Sequence, residues 1–274
     1  MEKIWDAHVH LFPQRLFNAI WHWFNNIGWQ IPYAGWELER YVACLKAMGV
    51  ERAFLLTYAH KSDISLELNR WVRDVCRKHD CFIPFACIHP LDRDLEQIIA
   101  TVLDDWQFAG FKLQLAVQQY AADDPVWEPV YRAAVERQKP VIIHAGTAPY
   151  SQNDPVLGLD HMEKVMERWP ELKVIIPHLG LYEIDKAFSL LERYPHFYLD
   201  TSWALGATGV NLPVDRLVYF IERYPQRFLY GSDFPIIEYE LASGLKILRQ
   251  LGLADQVLRR VVYDNARNLV ANCL

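Results

Sequence analysis

Two histidines stand one residue apart in DAHVHLF, residues 6–12, at the end of the first apolar run. Alternate side chains of an extended strand share a face, so His8 and His10 point one way while Ala7 and Val9 point the other. Two imidazoles on one face are half of a metal site. Candidates for the other half follow apolar runs further on: His144 in VIIHAG, His178 in VIIPHLG and Asp233 in LYGSDFP. A lone histidine in such a place is more often a hydrogen-bonded core residue, but five polar residues at the same ends of successive runs are hard to assign to packing. Imidazole and carboxylate together suit zinc and other borderline divalent ions. Three or four protein ligands with an open position form the catalytic pattern, whereas a structural zinc would more often recruit cysteines.

Such residues need a frame that brings distant segments together. Eight short β-branched and aromatic runs, KIWDAHVH, RAFLLTY, FIPFACI, GFKLQL, PVIIHAG, KVIIPHLG, FYLDTS and RFLYGSDFP, alternate with amphipathic segments. That alternation is the signature of βα units, and eight of them close a (β/α)8 TIM barrel. DISLELNRWVRDVCRKH, DRDLEQIIATVLDDW, PVWEPVYRAAVERQ and GLDHMEKVMERWP read as helices, with Asp63 placed to cap the first of these. Three helices are expected to end on one phrase, ERWP at 167–170 and ERYP at 192–195 and 222–225, because proline cannot continue them. The connection at 12–49 exceeds one helix and is rich in Trp21, Trp23, Phe24, Trp29, Tyr33 and Trp36. Loops that follow barrel strands form the active-site face, so this insertion after the first strand would overhang the pocket or else serve as a packed lid or dimer contact.

Composition sets the outer bounds. The 274 residues are 52% hydrophobic and 23% charged with no composition break, as expected for one barrel domain over 1–274. A net charge of −6 with scattered Lys and Arg offers no basic field, which disfavours nucleic acid and anionic membrane as partners. Five cysteines without C-x-x-C spacing fit reduced thiols, and Cys44, Cys76 and Cys87 read as small core hydrophobes. MEKIWDAHVH shows no basic-then-apolar leader, and a cytoplasmic location is the expectation.

The ordered set DAHVHLF, VIIHAG, VIIPHLG, YGSDFP and VVYDNARNLV resembles the amidohydrolase superfamily, in its amidohydrolase-related branch with the aminocarboxymuconate-semialdehyde decarboxylase-like enzymes. The resemblance runs nearly the whole length of the chain. It implies a metal held by His8, His10 and His144, with Asp233 as a carboxylate ligand or water-orienting base. His178 is implied as a further ligand or as a general acid/base beside the metal. One divalent ion is expected, zinc first, with manganese or a second metal as alternatives.

Lys112 in GFKLQL shares a strand face with Gln114, and a lysine pointing into a barrel is costly unless paired. In two-metal members of the superfamily a carboxylated lysine bridges the ions; in others a lysine here contacts substrate or acts electrostatically; a plain ion pair is the third reading. Trp203 and Arg15 are weaker candidates for substrate contact, Arg15 because a carboxylate would want a guanidinium. His60 and His89 also follow strands, although solvent-facing loops explain them as well.

These residues serve two reactions. One is hydrolysis of an amide, lactone or ester of a small molecule by a metal-activated water, with His178 or Asp233 carrying the proton. The other is nonoxidative decarboxylation of an aromatic or unsaturated acid on the same site. The short chain and GFKLQL favour the hydrolase, while the aromatic insertion suits a flat acid. A barrel without catalysis, or a metal-free lactonase, is disfavoured because every expected ligand position is filled.

Overall fold

A computed structural model describes residues 3–147, 151, 154–208 and 210–273. Eight parallel strands follow one another in space as in sequence: β1 (Ile4–His10), β2 (Val50–Leu56), β3 (Phe82–Cys87), β4 (Gly110–Gln114), β5 (Val141–His144), β6 (Val174–Ile176), β7 (Phe197–Asp200) and β8 (Phe228–Leu229). The segment after β8 runs parallel to β1 and closes the ring. Ala7 N donates to Tyr230 O at 2.8 Å, Asp233 N to His8 O at 2.9 Å and His10 N to Phe234 O at 2.8 Å. The result is the expected (β/α)8 barrel, its strands almost entirely buried because helices cover the outside.

Two helices fill the long first connection, α1 (Gln14–Asn26) and α2 (Leu38–Met48). α2 stops at Gly49, which takes the left-handed conformation at φ 91° that closes a helix cheaply. α3 (Ser65–Lys78), α4 (Leu95–Ala100), α5 (Leu115–Gln118), α6 (Glu128–Glu136), α7 (Leu159–Arg168), α8 (Ile184–Arg193), α9 (Val214–Arg223), α10 (Ser243–Gln250), α11 (Asp255–Arg259) and α12 (Asn265–Val270) follow. The Glu-Arg-aromatic-Pro phrase acts as read. α7, α8 and α9 each end on its arginine, and Trp169, Tyr194 and Tyr224 leave the helical region, Tyr194 for fully extended backbone, because a residue before proline is pushed out of it.

Three local expectations are corrected. Asp63 does not cap α3; it sits at φ 66° and its carboxylate accepts from Arg93 N and Nε instead. The runs around β6 and β8 are shorter as strands than as sequence. His178 and Leu179, both at φ 58°, end the first, and the second gives way to the turn that carries Asp233 at φ 65°. The helical pattern at 92–106 likewise splits, with α4 continuing into a π turn at Thr101–Asp105. All five cysteines are free. Among the described residues no helix is long and apolar enough to cross a membrane.

Candidate metal centre and pocket

β1 delivers His8 and His10 to the C-terminal mouth of the barrel, as period-2 alternation requires. The turn after β8 brings Asp233 against them. His8 Nε2, His10 Nε2 and an Asp233 carboxylate oxygen gather within 4.8 Å of one another, all three residues buried. The two Nε2 atoms are 3.0 Å apart, and Asp233 Oδ1 is 3.4 Å from each.

The surrounding hydrogen bonds decide which nitrogens carry protons. His8 Nδ1 donates to Asp200 Oδ2 at 2.7 Å, and His10 Nδ1 donates to the Leu56 carbonyl at 3.1 Å. Each ring therefore presents Nε2 as a lone pair. Two lone pairs at 3.0 Å cannot hydrogen-bond to each other; with a carboxylate beside them they form a cradle for a cation. The same logic extends to the other imidazoles. His178 Nδ1 donates to the Ser202 carbonyl at 2.9 Å, which leaves its Nε2 to accept from His144 Nδ1 at 3.2 Å. His144 is thereby left with Nε2 unprotonated. His144 lies outside the compact set of three, paired with His178.

Burial sets the charge states. It holds His8, His10 and His144 well below the ordinary histidine range and brings His178 down to about 4. All four are neutral at pH 7, and neutral imidazole is the form that binds metal. Burial pushes the Asp233 carboxyl well above the carboxylate range against the pull of Lys112. The fit to a divalent ion is good: nitrogen lone pairs, one carboxylate, and an outer carboxylate on His8 that fixes its tautomer, as ligating histidines ordinarily have.

Lys112 is fully buried beneath this set, with Nζ 3.4 Å from His8 Nε2. Burial lowers its pKa to about 8 although Asp233 and Asp200 draw it up. No carboxylate among the described residues lies within ion-pair distance of Lys112. Trp203 is also buried; its Nε1 donates to Glu238 Oε2 at 2.9 Å and its ring lies 6.4 Å from that of His178, behind the pocket wall. Arg15 is exposed on α1 and does not line the pocket.

The cluster opens into a cavity of about 560 Å³. His10, His144, His178 and Asp233 form its floor. The insertion supplies the roof, as its position predicts: Leu16, Ala19, Ile20, Trp23 and Phe24 of α1 face inward. Tyr58, His60 and Gln114 line the side, so His60 belongs to the pocket, whereas His89 is buried away from it. Sequence reasoning missed Asp200 and Ser202, the residues that fix the tautomers of His8 and His178. The available signal was FYLDTS, a polar residue closing an apolar run like the others.

The Amidohydrolase family model matches residues 5–271, and the chain belongs to that family. Solved structures agree on the fold. An uncharacterized TIM-barrel protein, Bb4693 from Bordetella bronchiseptica, is similar with a TM-score of 0.79 at 20% identity, over 99% of both chains. 5-Carboxyvanillate decarboxylase LigW from Sphingomonas paucimobilis gives 0.73 at 15% identity over 99% of both chains. A dihydroxybenzoic acid decarboxylase from Polaromonas sp. JS666, solved with manganese and the inhibitor 2-nitroresorcinol, gives 0.70 at 16% identity over 99% of this chain and 97% of that one. No curated protein matches the sequence.

Proposed function

We propose that this member of the amidohydrolase family is a metal-dependent decarboxylase of a flat, aromatic or unsaturated carboxylic acid. The observation that carries the reading is the converging set of His8, His10 and Asp233 at the floor of a pocket roofed by apolar and aromatic side chains. The decarboxylases among the structural neighbours support this reaction over the hydrolysis that the short chain and GFKLQL favoured, and the manganese in one of them makes manganese as good a candidate as zinc.

His8, His10 and Asp233 would hold the ion, with His144 as a fourth ligand through its free Nε2. A divalent ion there supplies Lewis acidity toward the substrate's carboxylate and neighbouring oxygen. α1 excludes water from the ring face and orients the flat body of the acid. A proton adds to the ring carbon that bears the carboxyl, and the bond from that carbon to the carboxyl then breaks, its electron pair returning to the ring as carbon dioxide leaves. Asp233 and His178 are the proton-handling groups that line the floor. His178 is held for this by its Nδ1 bond to Ser202, in a left-handed backbone turn of the kind that functional sites retain. Lys112 adds positive charge under the ligands without reaching the pocket.

The test is metal analysis of the purified protein together with carbon dioxide release from a panel of aromatic acids and hydrolysis of lactones and amides. About one ion per chain and carbon dioxide release are expected. His178→Asn should retain the ion while turnover drops at least 100-fold, the scale of lost acid–base catalysis. Hydrolysis without carbon dioxide release returns the protein to the hydrolases, and no metal after reconstitution removes the site.

A further inference from the structure

The side wall of the pocket contains a polar group that the proposed chemistry does not use. Gln114 ends β4, two residues beyond Lys112 and in register with His144 across the β4–β5 ladder. Its backbone N–H is satisfied by Gln118 Oε1 at 2.8 Å, but its side-chain Oε1 is buried without a partner among the described residues. Other buried polar atoms share that condition, including Thr57 Oγ1 and Tyr230 Oη; Gln114 is the one whose residue also lines the cavity. A buried acceptor left unpaired costs far more than a hydrogen bond gains, so this amide is positioned for something that enters the pocket.

We infer that Gln114 is a specificity-determining residue that selects substrates bearing a neutral hydrogen-bond donor, a hydroxyl or an N–H, on the part lying against β4. The assignment rests on an aromatic acid being the ligand of this pocket. Either orientation of the amide offers one acceptor oxygen and one donor nitrogen, so a hydroxyl can answer both. A bare ring answers neither, and a methoxy group answers the nitrogen alone. The rest of the lining excludes a second anionic group: no Lys or Arg of the described residues lines the cavity, and the α1 roof opposite is apolar. The substrate class is a monoanionic acid with a neutral donor on its body and an apolar edge toward α1.

The experiment is calorimetric binding of benzoate, its three monohydroxy isomers and the matching methoxybenzoates to manganese-supplemented protein, compared with Gln114→Leu. In the parent protein one hydroxy isomer should bind at least tenfold more tightly than its methoxy counterpart, the fold-change that an unpaired buried acceptor brings. In Gln114→Leu that ratio should fall to near one with benzoate affinity and metal content unchanged. Gln114→Met, which keeps side-chain length, is the second variant should the Leu chain not fold. Equal hydroxy-to-methoxy ratios in parent and variant overturn the inference, as does a parent protein that binds none of the acids. Turnover plays no part in the readout. Intact discrimination without carbon dioxide release would therefore sink the proposed reaction and leave the role of Gln114 standing.

Discussion

At the scale of single residues, the proposed metal centre depends on who holds which proton. Asp200 does not line the cavity, yet its carboxylate accepts the Nδ1 proton of His8 and the backbone N–H groups of His178 and Ser202. It thereby fixes the tautomer of His8 and anchors the turn that carries His178. Asp200→Asn should fold and retain the fold's helical signal while metal affinity falls about 10- to 100-fold, the usual cost of losing an outer partner. Competition with a chromophoric chelator measures this, and unchanged affinity would show that the pair is merely packing. His8, His10 and Asp233 were visible in the sequence because each is a polar exception in an apolar run. Asp200 was an exception of the same kind, but its partner lies 192 residues away and no spacing rule connects them. Gln114 was noticed only as a strand neighbour of Lys112, since an unsatisfied oxygen is a property of the folded surroundings and not of the letter.

Elements were more legible than their ends. Alternating apolar runs marked all eight strands, and proline marked the helix ends, because both signals act within a few residues. β6 and β8 fell short where His178, Leu179 and Asp233 turn left-handed, a backbone choice that tertiary contacts impose against intrinsic preference. The helices are tied to one another by surface ion pairs, of which Arg137 with Asp104 is the best formed. Nε and Nη2 reach the two carboxylate oxygens at 2.7 and 2.8 Å, joining the end of α6 to the π turn after α4. The Arg137 side chain holds the Asp104 carboxyl below its ordinary range. The folded state thus favours the carboxylate, so the stabilisation is present above pH about 4 and fades as pH falls through the folded value. Both groups are substantially solvated, which limits the effect to under about 1 kcal/mol. Asp104→Asn should lower the melting temperature by about 2 °C at pH 7, and the gap to the parent should shrink as pH falls below about 4. A gap independent of pH would assign the loss to something other than this pair.

For the molecule as a whole, the free thiols report on integrity. Burial pushes Cys44, Cys76 and Cys81 up and Cys87 to about 12, and Cys273 is buried near the chain end. Too little thiolate leaves Cys44, Cys76, Cys81 and Cys87 slow toward a disulfide reagent in the native state, and lack of access does the same for Cys273. In denaturant five thiols should titrate rapidly, whereas two or more fast thiols in the native protein would mean that the barrel opens locally. The closing of that barrel has a further consequence. The ligand set takes His8 and His10 from the first strand and Asp233 from beyond the last, across the seam where Asp233 N meets His8 O. During synthesis His8 and His10 leave the ribosome seven strands before Asp233 emerges. An ion held by all three would therefore report ring closure, because a chain cut before Asp233 lacks the third donor.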